Sequence, residues 1–324
     1  MMLVHTIIAA ICMLCLSTAE KIDHLSFKAP FEETDVSGQR LVGSGWKTSG
    51  TTVVNKNFIR LTPDRQSKKG SVWSKRPLGV ASFSTVLQFR ISGQGKTFFG
   101  DGIALWITQS SYHADGIIHG SAEKFVGVGV IFDTFKNTEN IAAHRDVTIL
   151  VNDGSKTYEM MTKDVLGCAA KVRYHAGRDD FSVTDSSRAK IVVEGNRYEY
   201  SARYFLEPCC ISINLYHCSY VTSKTCKSLV STCRLHVFID AANTGEWENC
   251  VAVDDLALPQ NWASRAYIGL SATTGALADN HDLLSLKTYS DLAVLEHDER
   301  VAEATKGQSF VLPDEGTLFD RLNA

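Results

Sequence analysis

The stretch VIFDTFKN, Val130–Asn137, begins as a buried strand and ends as something else. The run VGVGVIF before the aspartate is apolar and rich in β-branched residues, as in a strand covered by neighbours. It then delivers Asp133, Phe135 and Asn137 at alternate positions, which a continuing strand would turn the same way. Carboxylate oxygen, amide oxygen and the carbonyls of a strand that is ending are what a hard cation takes, at about 2.3–2.6 Å. Calcium follows from such a set more naturally than zinc, because no histidine or cysteine cluster accompanies it. Taken alone, the pattern equally describes a strand leaving the core into a polar turn.

Segments of the same kind recur on both sides: FIRLTP, STVLQFRIS, GIALWIT, DVTILVN, AKIVVEG, RLHVFID, AYIGLSA and LLSLKTY. Several alternate with period two, and no run of helical period competes with them, so the expectation is an all-β, antiparallel β-sandwich over residues 24–293. A chain of 324 residues, 44% hydrophobic, is long enough to bury one such core. Its formal net charge of −3 provides no basic field, which excludes nucleic acid as the expected partner. GQGKT at Gly93 lacks P-loop spacing and takes no phosphate role, no nucleophile elbow occurs, and the preferred reading is non-enzymatic.

Residues 1–19 read as a secretory signal peptide, with an apolar run from Ile7 to Leu16 and small residues up to Ala19. No second stretch approaches the length of a transmembrane helix. The expected location is therefore the lumen of the secretory pathway or outside the cell. Residues 294–324 form a charged C-terminal tail. Cys12 and Cys15 leave with the signal, and five of the seven remaining cysteines fall in residues 198–233. This segment separates two strands that look like the arms of one hairpin and has no turn logic of its own. It is either a cysteine-rich insertion or a retained intron. Excision between codons available to Arg197-Tyr198-Glu199 and Cys233-Arg234 would keep the frame and restore one arginine.

Two further elements join VIFDTFKN. In FGDGIALWIT, Asp101 lies between Gly100 and Gly102 at the head of an apolar strand; in SATTGALADNHDLLS, a glycine-containing turn runs from Thr274 to Asp282. In this order, with HLSFKAPF, RLTPDRQSKKGSVWSK and EWENC, the motifs resemble the L-type (legume-lectin-like) lectin family. The resemblance is specifically to its animal and fungal cargo-receptor branch, which carries high-mannose N-glycoproteins between endoplasmic reticulum and Golgi. It covers the chain between signal and tail except residues 198–233. It implies a concanavalin A-like jelly roll with one sugar site over bound calcium.

Carried over position by position, the resemblance makes Asp133, the Phe135 carbonyl and Asn137 calcium ligands, completed by an aspartate of the next loop. Asp101 and Asn137 become the pair that binds mannose hydroxyls, with Ser67 and the Gly275-Ala276-Leu277 turn adding contacts, and Cys168–Cys250 becomes the family disulfide. The pattern breaks at YEMMTKDVLGC. Met160 takes the place of a histidine that touches sugar in the family, and Asp164 is the fourth calcium ligand if one residue is inserted, whereas an ungapped reading puts Lys163 there. The expected function is calcium-dependent binding of high-mannose N-glycans on glycoproteins in the endoplasmic reticulum, intermediate compartment or Golgi. The alternative is a lectin-fold interaction module without sugar binding; homo-oligomerisation is open in either case.

Overall fold

The structure, a computed structural model, describes residues 20–111, 116–135, 144–163, 166–204 and 225–290, without the side chains of 196–232. The signal peptide, the charged tail, most of the insertion, and both Asn137 and Asp164 lie outside the described residues.

In chain order the first strands are β1 (Phe27–Lys28), β2 (Trp46–Gly50), β3 (Val53–Val54), β4 (Ile59–Thr62), β5 (Lys68–Ser74), β6 (Phe83–Gly93), β7 (Gly102–Thr108) and β8 (Val126–Asp133). They continue with β9 (Val147–Asp153), β10 (Leu166–Cys168), β11 (Arg173–His175), β12 (Ser187–Tyr204), β13 (Thr225–Asp240), β14 (Glu248–Val253), β15 (Tyr267–Thr274) and β16 (Asn280–Tyr289). Among the described residues, one short α-helix, α1, spans Tyr158–Met161. Among the described residues, no helix is long and apolar enough to cross a membrane.

The strands form two sheets. The smaller has the order β10-β9-β8-β7-β15-β5-β2; the larger runs β14-β13-β12-β6-β16-β4-β3, with β1 on β16 and β11 on β6. Pairing is antiparallel as expected, except that β11 runs parallel to the end of β6, placing Arg173 opposite Ile91. The core lies between the sheets, where Phe89 of β6 meets Phe132 of β8 with ring centroids 4.4 Å apart.

Alternation along β8 explains how the core strand comes to carry an acid. Val128, Val130 and Phe132 enter the core, so Gly129, Ile131 and Asp133 face the other side of the smaller sheet. That side is also covered. Trp106 packs edge-on against Phe125 at 5.3 Å, in a second cluster with Ile131, Leu150 and Met161 of α1. Residue 129 must be glycine here, because a Cβ would stand 2.7 Å from the Trp106 ring. Cys168 at the end of β10 is bonded to Cys250 on β14, 82 residues away, so the disulfide ties the edges of the two sheets together.

The β12–β13 hairpin bears on the insertion. Its ladder pairs Val193 with Leu235 and Glu194 with Arg234, then slips before resuming at Arg197 with Thr232. Gly195 and Asn196 are the residues at that slip. Joining Asn196 to Arg234 would leave Gly195-Asn196 as a two-residue loop between a pair already in register, a sequence suited to a tight hairpin. Deleting residues 197–233 is therefore expected to give a folded domain, melting no lower than the full chain and still forming Cys168–Cys250. Circular dichroism and thiol counting check this; an unfolded product would show the insertion to be integral.

Candidate functional site

Asp101 and Asp133 reach the same end of the smaller sheet from adjacent strands. Gly102 of β7 pairs with Asp133 of β8, so Asp101 stands one residue beyond its neighbour's aspartate. The Gly100–Asp101 peptide is cis. Around Asp101, the Thr134 N–H donates to its carbonyl at 3.0 Å and the Thr273 hydroxyl donates to its carboxylate at 3.2 Å. Close approach requires glycine on both sides. A Cβ at Gly100 would meet Phe135 Cβ at 2.9 Å, and one at Gly102 would meet the Phe132 carbonyl oxygen at 2.1 Å.

The strand does not continue through VIFDTFKN as its alternation predicts. β8 stops at Asp133, because the Asp133 carboxylate accepts the Phe135 N–H at 2.9 Å and so replaces the ladder with a local turn. Burial pushes this carboxyl up to about 7, and the charges of Asp101 and Asp146 push in the same direction, against the opposing Phe135 hydrogen bond. Burial also raises Asp101, opposed by the Thr273 hydroxyl. Desolvated carboxylates repelling one another are what a bound divalent cation would relieve.

The third element converges on the same place. Ser67, at φ 56°, donates its N–H to the Gly275 carbonyl at 3.1 Å, and the Gln66 amide donates to the Ala276 carbonyl at 2.7 Å. A Cβ built on Gly275 would lie 3.7 Å from the Asp101 carboxylate. The turn is shorter than the sequence implies: β16 already begins at Asn280, and Asp282 is a buried strand residue bound to Arg60 and Arg90. Asp101, Asp133, Phe135, Ser67 and the Gly275 turn are thus brought together.

The residues opposite them come from α1. Thr157 caps it, accepting from the Met160 N–H, and buried Met161 anchors it to the sheet. Burial raises the Tyr158 phenol, and the nearby Asp133 charge adds to the effect. Met160 points outward, 54% exposed. Asp146 and Tyr158 are site neighbours that the sequence reading missed. Asp146 accepts the Asp133 N–H on its carbonyl at 2.9 Å and the Ala170 N–H on its carboxylate at 2.7 Å. Its signal was available, since it heads the apolar run VTILV much as Asp101 heads GIALW. Among the described residues, no three His, Cys, Asp or Glu side chains form a metal cluster; the oxygen-only donors Asp133 and Phe135 nevertheless suit a hard cation.

Two facing sheets with loops converging at one end of the smaller sheet have the architecture of a lectin β-sandwich. The chain belongs to the legume-like lectin family, whose model matches residues 19–207 and 212–298. This is a family of lectins, not of enzymes. The vesicular integral-membrane protein VIP36 of Homo sapiens is 28% identical over 302 residues, covering 89% of this chain and 70% of that protein. For the same protein of Canis lupus familiaris the figures are 29% over 270 residues, 81% and 61%. Protein ERGIC-53 of Mus musculus is 26% identical over 244 residues, 75% of this chain and 38% of the relative. The chain therefore spans from under two fifths to about seven tenths of these relatives. The exoplasmic/lumenal domain of VIP36 in its Ca2+/Man2-bound form superimposes with a TM-score of 0.60 at 26% identity, covering 84% of this chain and 90% of that one.

Proposed function

We propose that this protein is a calcium-dependent lectin that binds high-mannose N-glycans on glycoproteins in the lumen of the early secretory pathway. The observation that carries the proposal is the meeting of Asp101, Asp133 and the Ser67–Gly275 contact at one sheet end, in a chain similar to a domain solved with calcium and mannose. Asp133, the Phe135 carbonyl, Asn137 and Asp164 are the residues to hold the ion. Calcium, when bound, would supply positive charge beside the partly buried Asp133 carboxylate.

The chain's own groups then do the recognition. A neutral sugar presents mainly vicinal hydroxyls, so an ionised acceptor is needed, and Asp101 supplies it, its carboxylate steered by the Thr273 hydroxyl and its backbone carbonyl held by the Thr134 N–H. The Asn137 amide can both donate and accept, and Ser67 with the backbone of Gly275-Ala276-Leu277 adds further contacts. Because the Ser67 and Gln66 contacts already hold that turn, little ordering remains to oppose binding.

One observation favours the second reading, an interaction module without sugar binding: the exposed Met160 side chain can donate no hydrogen bond where the resemblance expects a histidine. Calorimetry with calcium and then mannobiose decides between them, with calcium-dependent heat of mannobiose binding supporting the lectin and its absence the module. Met160→His is expected to tighten mannobiose binding by about fivefold, the worth of one net hydrogen bond of ~1 kcal/mol.

A further inference from the structure

Arg173 lies on β11, outside the groups assigned to the sugar, yet it touches both loops that deliver them. Its Nε and Nη2 donate to the two carboxylate oxygens of Asp279 at 2.9 and 2.8 Å. Nη2 also donates to the Gly95 carbonyl at 2.9 Å, and the guanidinium stacks 3.7 Å above the Phe99 ring. Gly95 and Phe99 belong to the connection that arrives at Asp101, while Asp279 closes the turn that contains Gly275. The clamp is buried: the Arg173 side chain is 11% exposed and that of Asp279 0%. Packing around it is tight as well, since a Cβ at Gly93 would fall 2.2 Å from the Asp279 carboxylate.

Both loops are irregular, and no ladder hydrogen bond fixes the approach of Gly95–Gly100 to the 275–279 turn. A planar group with a fork of donors and a stacking face is suited to that task in a way that an ammonium is not. We infer that Arg173 is a positioning residue for glycan recognition, setting the separation between the Asp101 carboxylate and the Gly275–Leu277 turn. The inference rests on the proposed sugar site. A misplacement of about 1 Å between groups that must act together is enough to cost one to two orders of magnitude in what they bind or catalyse.

The test separates positioning from bracing. Arg173→Met alone would strand a buried carboxylate and could fail to fold for that reason, so it is paired with Arg173→Met/Asp279→Asn, which removes both charges. In the full chain, the double variant is expected to melt near the wild type and to keep its calcium affinity. Its mannobiose affinity is expected to be at least about tenfold weaker. Hydrogen exchange should quicken at the amides of Asp101 and Ser67, which bond Thr273 and Gly275. Recovery of wild-type affinity together with stability would overturn the inference, since Arg173 would then be only a brace. If the wild type binds no mannobiose, the proposed function falls; the exchange rates still decide the inference, quickened amides upholding the clamp and unchanged ones overturning it.

Discussion

Replacing Asp101 with asparagine is expected to weaken mannobiose binding by more than about a hundredfold while leaving calcium binding in place. The substitution preserves shape, and the amide oxygen can still accept from the Thr273 hydroxyl, so the loop has no reason to move. What would disappear is the ionised acceptor proposed for two sugar hydroxyls, each charge-assisted bond being worth ~1.5–3 kcal/mol against tenfold in affinity per ~1.4 kcal/mol. The amide also places a donor where the sugar presents donors. Calorimetry on the variant, with calcium titrated first and mannobiose second, reads the two effects separately. Equal mannobiose affinity in wild type and variant would remove Asp101 from the site.

Asp133→Asn should act earlier in the chain of dependence and abolish both. In the wild type, calcium at about a hundred times its dissociation constant would stabilise the folded domain by ~2.7 kcal/mol, a rise in melting temperature of roughly 5–10 °C for a domain of this size. The variant should show no such rise and no calcium-dependent mannobiose heat. In chelator it should nevertheless melt no lower than the wild type, because asparagine keeps the acceptor for the Phe135 N–H and removes a partly buried carboxyl that its surroundings disfavour as an anion. That pairing of gains and losses is specific to a metal ligand: a structural aspartate would lose stability in chelator as well. A calcium-induced shift that survives the substitution would place the ion elsewhere.

Much of this architecture was legible in the sequence, because period-two alternation is a local property. Val130 and Phe132 face the core, and Asp133 the opposite side, as their spacing requires. Asp101 was singled out by its flanking Gly100 and Gly102, which a close approach explains, whereas the Gly275 turn entered the site only through the family resemblance. The misses were non-local or involved a competing interaction. The strand ends at Asp133 because a side chain captures a backbone N–H, a competition that alternation does not register. Asp146 becomes a neighbour of Asp133 only through pairing across β8 and β9. Arg173 reads as one more surface cation until β11 is laid parallel to β6, a pairing no hairpin signal announces.

The bridge between Cys168 and Cys250 has a topological consequence. Residues 198–233 fall within the 82-residue span it closes, so a protease cutting anywhere in that segment opens a ring without releasing a fragment. The product would be a two-chain molecule, its amino-terminal part carrying Asp101 and Asp133 and its carboxy-terminal part the Gly275 turn. Both would remain in one sandwich, held by a covalent link and by β15 lying between β5 and β7. Separating the halves would take a reductant and a denaturant together; cleavage alone would leave them covalently linked.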